Sequence, residues 1–235
     1  MKKTAKLLTL AIALFAGLGS TAQAAGFKVG TDIVSSYLWR GVEFGDSPAI
    51  QPALSYTFPG IGIVVGAWGS YAITNNVVDD LGDKHRYKEV DLYATIPAGP
   101  LSLTVTDYYV VPFTTGSSSR SFDFSSDGPN VVEVSVGYAE KNISLLAAIN
   151  VAGNDVLPGY KNAKYFEAGY KFYDKDGYTA KGVVGLGDED YYGAGKNENI
   201  ALVNTGISVS KDRYTASYVY NPNTEASHLV FMASF

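Results

Sequence analysis

The sequence predicts an all-β protein: a transmembrane antiparallel up-and-down β-barrel of twelve strands that follows a cleavable signal peptide. Three observations carry this. Apolar and polar residues alternate with period two in one segment after another, the connections are long and short in turn, and the amino terminus has the layout of an export signal.

Lys2, Lys3 and Lys6 form a positive segment, Leu7 to Leu18 is an apolar run of twelve, and Ala22-Gln23-Ala24 supplies small residues for cleavage after Ala24. A membrane-spanning helix takes about 20 apolar residues, so this run is too short to be one. The expected organisation is residues 1–24 as signal peptide and 25–235 as one barrel. The signal holds three of the 18 Lys+Arg and none of the 23 Asp+Glu, which leaves 15 basic and 23 acidic residues and a net charge of −8. Basic residues are scattered, with no stripe to track phosphates, so nucleic acid is not an expected partner. Cysteine is absent, which removes thiol catalysis and thiolate metal sites. The 18 Tyr, 11 Phe and 25 Gly, with a mean hydropathy near zero, suit strands with one lipid face and one wet face.

In chain order, Phe27, Val29, Ile33, Tyr37 and Trp39 alternate with Lys28, Asp32, Ser36 and Arg40, giving a first strand that runs to Arg40. The second runs from Ala49 to Phe58, where Pro52 removes a ladder donor and marks a bulge or local defect. Ile61 to Tyr71 is the third, with Gly66, Trp68 and Ser70 inward, and Glu89 to Ile96 the fourth. Leu101 to Val111, Val132 to Tyr138, Ile143 to Val151 and Phe166 to Phe172 follow. Tyr178 to Leu186, Val203 to Val209, Tyr214 to Tyr220 and Ser227 to Phe235 complete the twelve. Long connections follow the odd strands and tight turns the even ones, as in a bacterial barrel with short periplasmic turns, longer outer loops and both termini periplasmic. A β-sandwich has no reason to sort its loops by parity.

Aromatic residues add depth information. Tyr37, Trp39 and Tyr71 are expected outward near the upper boundary, and Tyr56, Phe58, Tyr138, Phe172, Tyr214 and Phe235 near the lower one, as headgroup-level girdles. The last strand presents Leu229, Phe231, Ala233 and Phe235 on one side. An apolar edge of this kind must be covered, so it is expected to close onto the first strand. Its terminal rings, Phe231 and Phe235, are similar to the signal through which the barrel-assembly machinery inserts outer-membrane proteins.

Most inward positions are small or hydroxylated, and twelve strands give a backbone radius of roughly 12 Å. The expected result is a narrow water-filled bore lined by charges of both signs: Lys28, Asp32, Arg40, Glu89, Asp91, Glu133, Glu167, Lys171 and Lys181. Arg40, Trp68, Glu89, Asp91, Tyr108 and Glu133 fall at similar heights on neighbouring strands and are the candidate constriction or binding shelf; the alternative is a salt-bridge and hydrogen-bond network that only braces the wall, since buried charges in a barrel are usually paired. Asp107 breaks the pattern by falling on the lipid side of the fifth strand, and a bulge turning it inward is the expected remedy.

Other chemistry is sparse. Of two histidines, His85 lies in a loop and His228 points inward near the top of the last strand; a hydrolase would need it set against a Ser or carboxylate. The Gly187-Asp188-Glu189-Asp190 cluster offers carboxylates to a divalent cation but reads better as a solvated loop. Asp174-Lys175-Asp176-Gly177 resembles the start of a calcium loop but lacks its frame and terminal Glu and reads as a turn, so neither metal nor cofactor is expected.

Ser35-Ser36-Tyr37-Leu38-Trp39-Arg40-Gly41, then Pro48-Ala49-Ile50-Gln51, Gly66-Ala67-Trp68-Gly69-Ser70 and Glu89-Val90-Asp91-Leu92-Tyr93, resemble the TorF-like family of outer-membrane porins, Gcw_chp-type bacterial β-barrel proteins. Its members show an RG, a P-x-x-Q, a W-x-S and an E-x-D in this order, and the likeness covers mainly residues 27–111. It implies an outer-membrane barrel of channel type and points to Arg40, Trp68, Glu89 and Asp91. The expected function is therefore passive diffusion of small polar solutes across the outer membrane of a Gram-negative bacterium, with lipid as the surrounding partner. A non-conducting structural or surface-binding barrel is the alternative, and a barrel hydrolase centred on His228 a third reading.

Overall fold

The computed structural model describes residues 25–78, 82–112, 120–126, 128–153, 162–195 and 200–235. The expected signal segment with Ala24 lies outside them, as do parts of the longer connections. Sixteen strands are formed among the described residues: β1 Gly26–Val34, β2 Tyr37–Trp39, β3 Val42–Phe44, β4 Ala49–Thr57, β5 Val64–Ala72, β6 Val77–Val78, β7 Lys84–His85 and β8 Lys88–Ala98. They continue as β9 Leu101–Val110, β10 Asn130–Glu140, β11 Ile143–Ala152, β12 Lys164–Lys175, β13 Tyr178–Asp188, β14 Ile200–Lys211, β15 Tyr214–Asn221 and β16 Ala226–Ser234. One short helix, α1 Glu189–Tyr192, precedes β14.

Twelve of these strands close a barrel in sequence order, β1-β4-β5-β8-β9-β10-β11-β12-β13-β14-β15-β16 and back to β1, every neighbour antiparallel. β2 with β3 and β6 with β7 form separate two-stranded hairpins. The twelve-strand count and the up-and-down order are those expected from the alternation. Each wall strand buries its small or polar side and exposes its apolar side: Gln51, Ala53 and Ser55 are buried where Ile50, Leu54 and Leu92 are exposed. Closure leaves no long edge, because the outward row Leu229, Phe231 and Phe235 is exposed beside β1 while Val230 and Met232 turn inward and are buried.

The seam is nevertheless short. β1 and β16 share three paired positions, Asp32–Ser234, Ile33–Ala233 and Val34–Met232, where every other wall pair shares seven to eleven. Two causes are visible. Phe235 exchanges backbone hydrogen bonds with Thr31, and among the described residues Gly26 to Gly30 pair with no strand on that side. Above Ser35, which bonds to Phe231, the chain leaves the wall altogether.

That departure corrects the sequence expectation. The first strand stops at Val34 rather than at Arg40, and residues 37–44 fold back into the lumen as the β2–β3 hairpin. Tyr37 is buried and Trp39 partly buried against the hydrophobic cluster inside the barrel, so neither belongs to an outer girdle. Alternation does not distinguish a strand that continues along the wall from one that turns inward, because both present one polar and one apolar side. Tyr71, by contrast, is exposed on the outer surface, as are Phe58, Phe172, Tyr214 and Phe235. Phe27 and Tyr56 pack with centroids 4.8 Å apart, and Tyr56 with Phe58 at 5.0 Å, forming a continuous aromatic patch near the turn end.

Two further expectations concern single residues. Pro52 gives the local defect and not the bulge: the β4–β5 ladder skips Gln51 and Pro52 and resumes in the same register. Asp107 also sits in unbroken register on β9 and is not turned inward. Its carboxylate is instead bonded by Asn130 Nδ2 at 2.9 and 3.2 Å, a neighbour on β10 that neutralises the cost of the outward position locally.

Candidate functional site: a hairpin-filled lumen

The hairpin is built around its turn. Trp39 pairs with Val42, leaving Arg40 and Gly41 as a two-residue loop with φ of +51° and +84°. Both positive values match the tight turn whose twist suits antiparallel strands. Gly41 is required twice, since a Cβ there would lie 2.0 Å from the Val203 carbonyl oxygen. The tip therefore presses on β14, three strands round the wall from β1, where the hairpin enters. Asn221, fully buried, donates to the carbonyls of Gly41 at 3.3 Å and Tyr192 at 2.9 Å, tying the tip to α1 and the top of β15.

Arg40 occupies the centre. Its Nη1 donates to Glu133 Oε2 at 2.6 Å and to the Tyr192 hydroxyl at 2.7 Å, and its Nη2 donates to Glu133 Oε1 at 2.9 Å. The guanidinium carbon lies 4.5 Å from the ring centres of both Trp39 and Tyr165. Both side chains of the ion pair are almost wholly buried. A bidentate, ring-stacked guanidinium is the geometry that makes a buried pair tolerable, and a lysine would not reproduce it. The Tyr108 hydroxyl adds a bond to Glu133 Oε1 at 3.3 Å.

The other predicted constriction residues lie beside this pair on adjoining strands. Trp68 stands opposite Asp91 across β5 and β8, and Asp91 opposite Tyr108 across β8 and β9. Glu89 accepts from the Tyr87 hydroxyl at 2.7 Å. Tyr37 packs on Trp68 at 5.3 Å and on Tyr87 at 5.9 Å, so the hairpin closes over the two carboxylates. Burial first, then the Glu89 carboxylate, pushes the phenols of Tyr37 and Tyr87 well above the usual tyrosine range, which keeps both neutral. The four short motifs now have a common place. Gln51 donates to Ser70 at 3.2 Å, Ser70 faces Glu89, and Trp68 faces Asp91, so one patch of inner wall carries P-x-x-Q, W-x-S and E-x-D, with RG supplying the hairpin turn above it.

All six candidate residues, Arg40, Trp68, Glu89, Asp91, Tyr108 and Glu133, are thus brought together, although Arg40 arrives on a hairpin and not on the wall. The remaining lumen charges are dispersed. Asp32 is buried beside the seam, Lys28 is exposed at the lower end, and Lys171 pairs with Asp174 at 2.5 Å near a turn. Glu167 accepts from Tyr165 at 2.8 Å, and Lys181 is partly buried next to Gly169. Sequence reasoning missed Tyr165, Tyr192 and Asn221. Tyr192 carried no signal, since it comes from an acidic stretch read as a solvated loop; Glu189 there is buried and accepts from Asn223 at 2.5 Å.

His228 Nδ1 lies 3.4 Å from Glu43 Oε2, and Ser36 donates to the other oxygen of the same carboxylate. The carboxylate therefore stands between hydroxyl and imidazole, whereas an acyl-transfer triad needs the imidazole in the middle. These contacts hold the base of the hairpin to β16.

No curated protein matches the chain. Residues 20–231 match the family described as bacterial protein of unknown function (Gcw_chp), and the chain belongs to that family.

Proposed function

We propose that this protein is an outer-membrane barrel of a Gram-negative bacterium that serves as a conduit for small polar solutes and rests closed, with the β2–β3 hairpin as its stopper. The observation that carries this reading is the buried Arg40–Glu133 pair, which joins the hairpin tip to the wall strand β10. The exposed apolar outer face and its aromatic patch favour a lipid surround, with both termini at the periplasmic side. Insertion through the barrel-assembly machinery would use the terminal strand with Phe231 and Phe235. The reading keeps the porin class implied by the TorF-like resemblance and gives the narrow bore a stopper. It assigns the protein no catalytic role and no cofactor.

Planar-bilayer recording tests it. The wild-type barrel is expected to pass little current, and replacing residues 37–44 by a flexible Gly-Ser linker is expected to give steady conductance steps. Silence from both, with folding verified by heat-modifiable gel mobility, would favour a non-conducting wall protein.

A further inference from the structure

We infer that the wall pocket occupied by Arg40 is a recognition site for guanidinium-bearing organic cations, with Arg40 as its tethered occupant. This deepens the conduit reading and rests on it for the claim that such cations are the solutes admitted. The site itself is built without the hairpin. Glu133 comes from β10, Tyr108 from β9, Tyr165 from β12 and Tyr192 from α1.

Each of these groups has support of its own. Tyr108 bonds Glu133, Asn204 donates to the Tyr165 hydroxyl at 2.9 Å, and that hydroxyl donates to Glu167. Tyr192 packs on Tyr165 at 5.2 Å. Together they offer a carboxylate with both oxygens presented, a ring face for a planar cation and a hydroxyl acceptor at its edge. A guanidinium uses all three at once, whereas a quaternary ammonium has no N–H to donate to the carboxylate.

A second observation points to the same class. Glu89 and Asp91 lie in the adjoining patch, both buried, and no lysine or arginine forms an ion pair with either among the described residues. Asp91 Oδ1 is buried without a hydrogen-bond partner. When the hairpin withdraws, it takes Arg40 with it, and Glu89, Asp91 and Glu133 then face the bore under tyrosine and tryptophan rings. A lumen in that state attracts cations, and the Glu133 pocket selects the planar, multiply donating ones. A solute of this kind competes with Arg40, so binding and opening are coupled.

The test uses full-length barrel refolded in lipid, with methylguanidinium chloride as probe and tetramethylammonium and sodium chloride as controls at equal ionic strength. In Arg40→Ala the emptied pocket is expected to take up methylguanidinium, read by isothermal titration calorimetry. The preference over tetramethylammonium is on the order of 10-fold to 100-fold, the worth of one or two charge-assisted hydrogen bonds. The response is lost in Arg40→Ala/Glu133→Gln. In the bilayer, methylguanidinium raises the open fraction of the wild-type channel while sodium does not, an arm that needs no variant to fold. Equal responses to methylguanidinium and tetramethylammonium, or a response that survives Glu133→Gln, would overturn the inference. Hairpin-free barrels that conduct without preferring guanidinium would also overturn it and leave the conduit standing; binding without any conductance would retain the site and remove the conduit.

Discussion

The Arg40 guanidinium and the Glu133 carboxylate meet through two hydrogen bonds of 2.6 and 2.9 Å, although 93 residues separate them. One belongs to a hairpin tip and the other to the barrel wall, so the pair decides whether the lumen is filled. Removing one partner of a buried ion pair typically costs about 3–5 kcal/mol, because the other charge is left uncompensated. Glu133→Gln is therefore expected to release the hairpin while the wall persists. Limited trypsin digestion checks this: cleavage after Arg40 is slow in the wild type and fast in the variant, with heat-modifiable mobility unchanged.

Gly41→Ala is expected to unseat the same hairpin by a different cause. The added methyl meets the Val203 carbonyl at 2.0 Å, at a φ of +84° that alanine avoids. Its digestion pattern should match that of Glu133→Gln. Resistance equal to the wild type would mean that β14 yields to the tip and that the close approach is not what seats it.

Asp107 is held on the outer face by Asn130. Asn130→Ala leaves that carboxylate without its amide partner and is expected to destabilise the barrel by about 1–3 kcal/mol. Asp107→Asn in the same background should recover most of the loss. Urea unfolding in lipid vesicles, followed by tryptophan emission, measures both changes.

At the seam, three paired positions replace the seven to eleven found elsewhere. Native-state amide exchange is expected to appear first in β1 and β16 among the wall strands. A Val34→Cys/Met232→Cys pair, introduced into a chain with no cysteine of its own, should raise the midpoint of thermal unfolding when oxidised and lose the gain when reduced. An unchanged midpoint with the disulfide confirmed would show that the seam does not limit stability.

The barrel was legible in the residues because a wall strand with one apolar outer side and one polar inner side must repeat its pattern. Leu101, Leu103 and Val105 alternate with Ser102, Thr104 and Thr106, and the same constraint recurs in every wall strand. The inward patch was legible for a related reason: Trp68, Glu89, Asp91, Tyr108 and Glu133 have fixed parity once their strands are placed. Arg40 was correctly assigned to the lumen by the same parity, yet on the wrong support.

The amino-acid sequence alone determined the strand count, the sidedness of each wall strand and the closing of the chain on Phe235, since each follows from local alternation and from the need to satisfy a strand edge. Only the tertiary structure decided that residues 37–44 leave the wall and fold into the lumen. Period-two alternation looks the same for a strand in the wall and one inside it. The difference lies in contacts made across the barrel, where Arg40 finds Glu133 and Tyr192, Gly41 finds Val203, and Asn221 binds the turn from above.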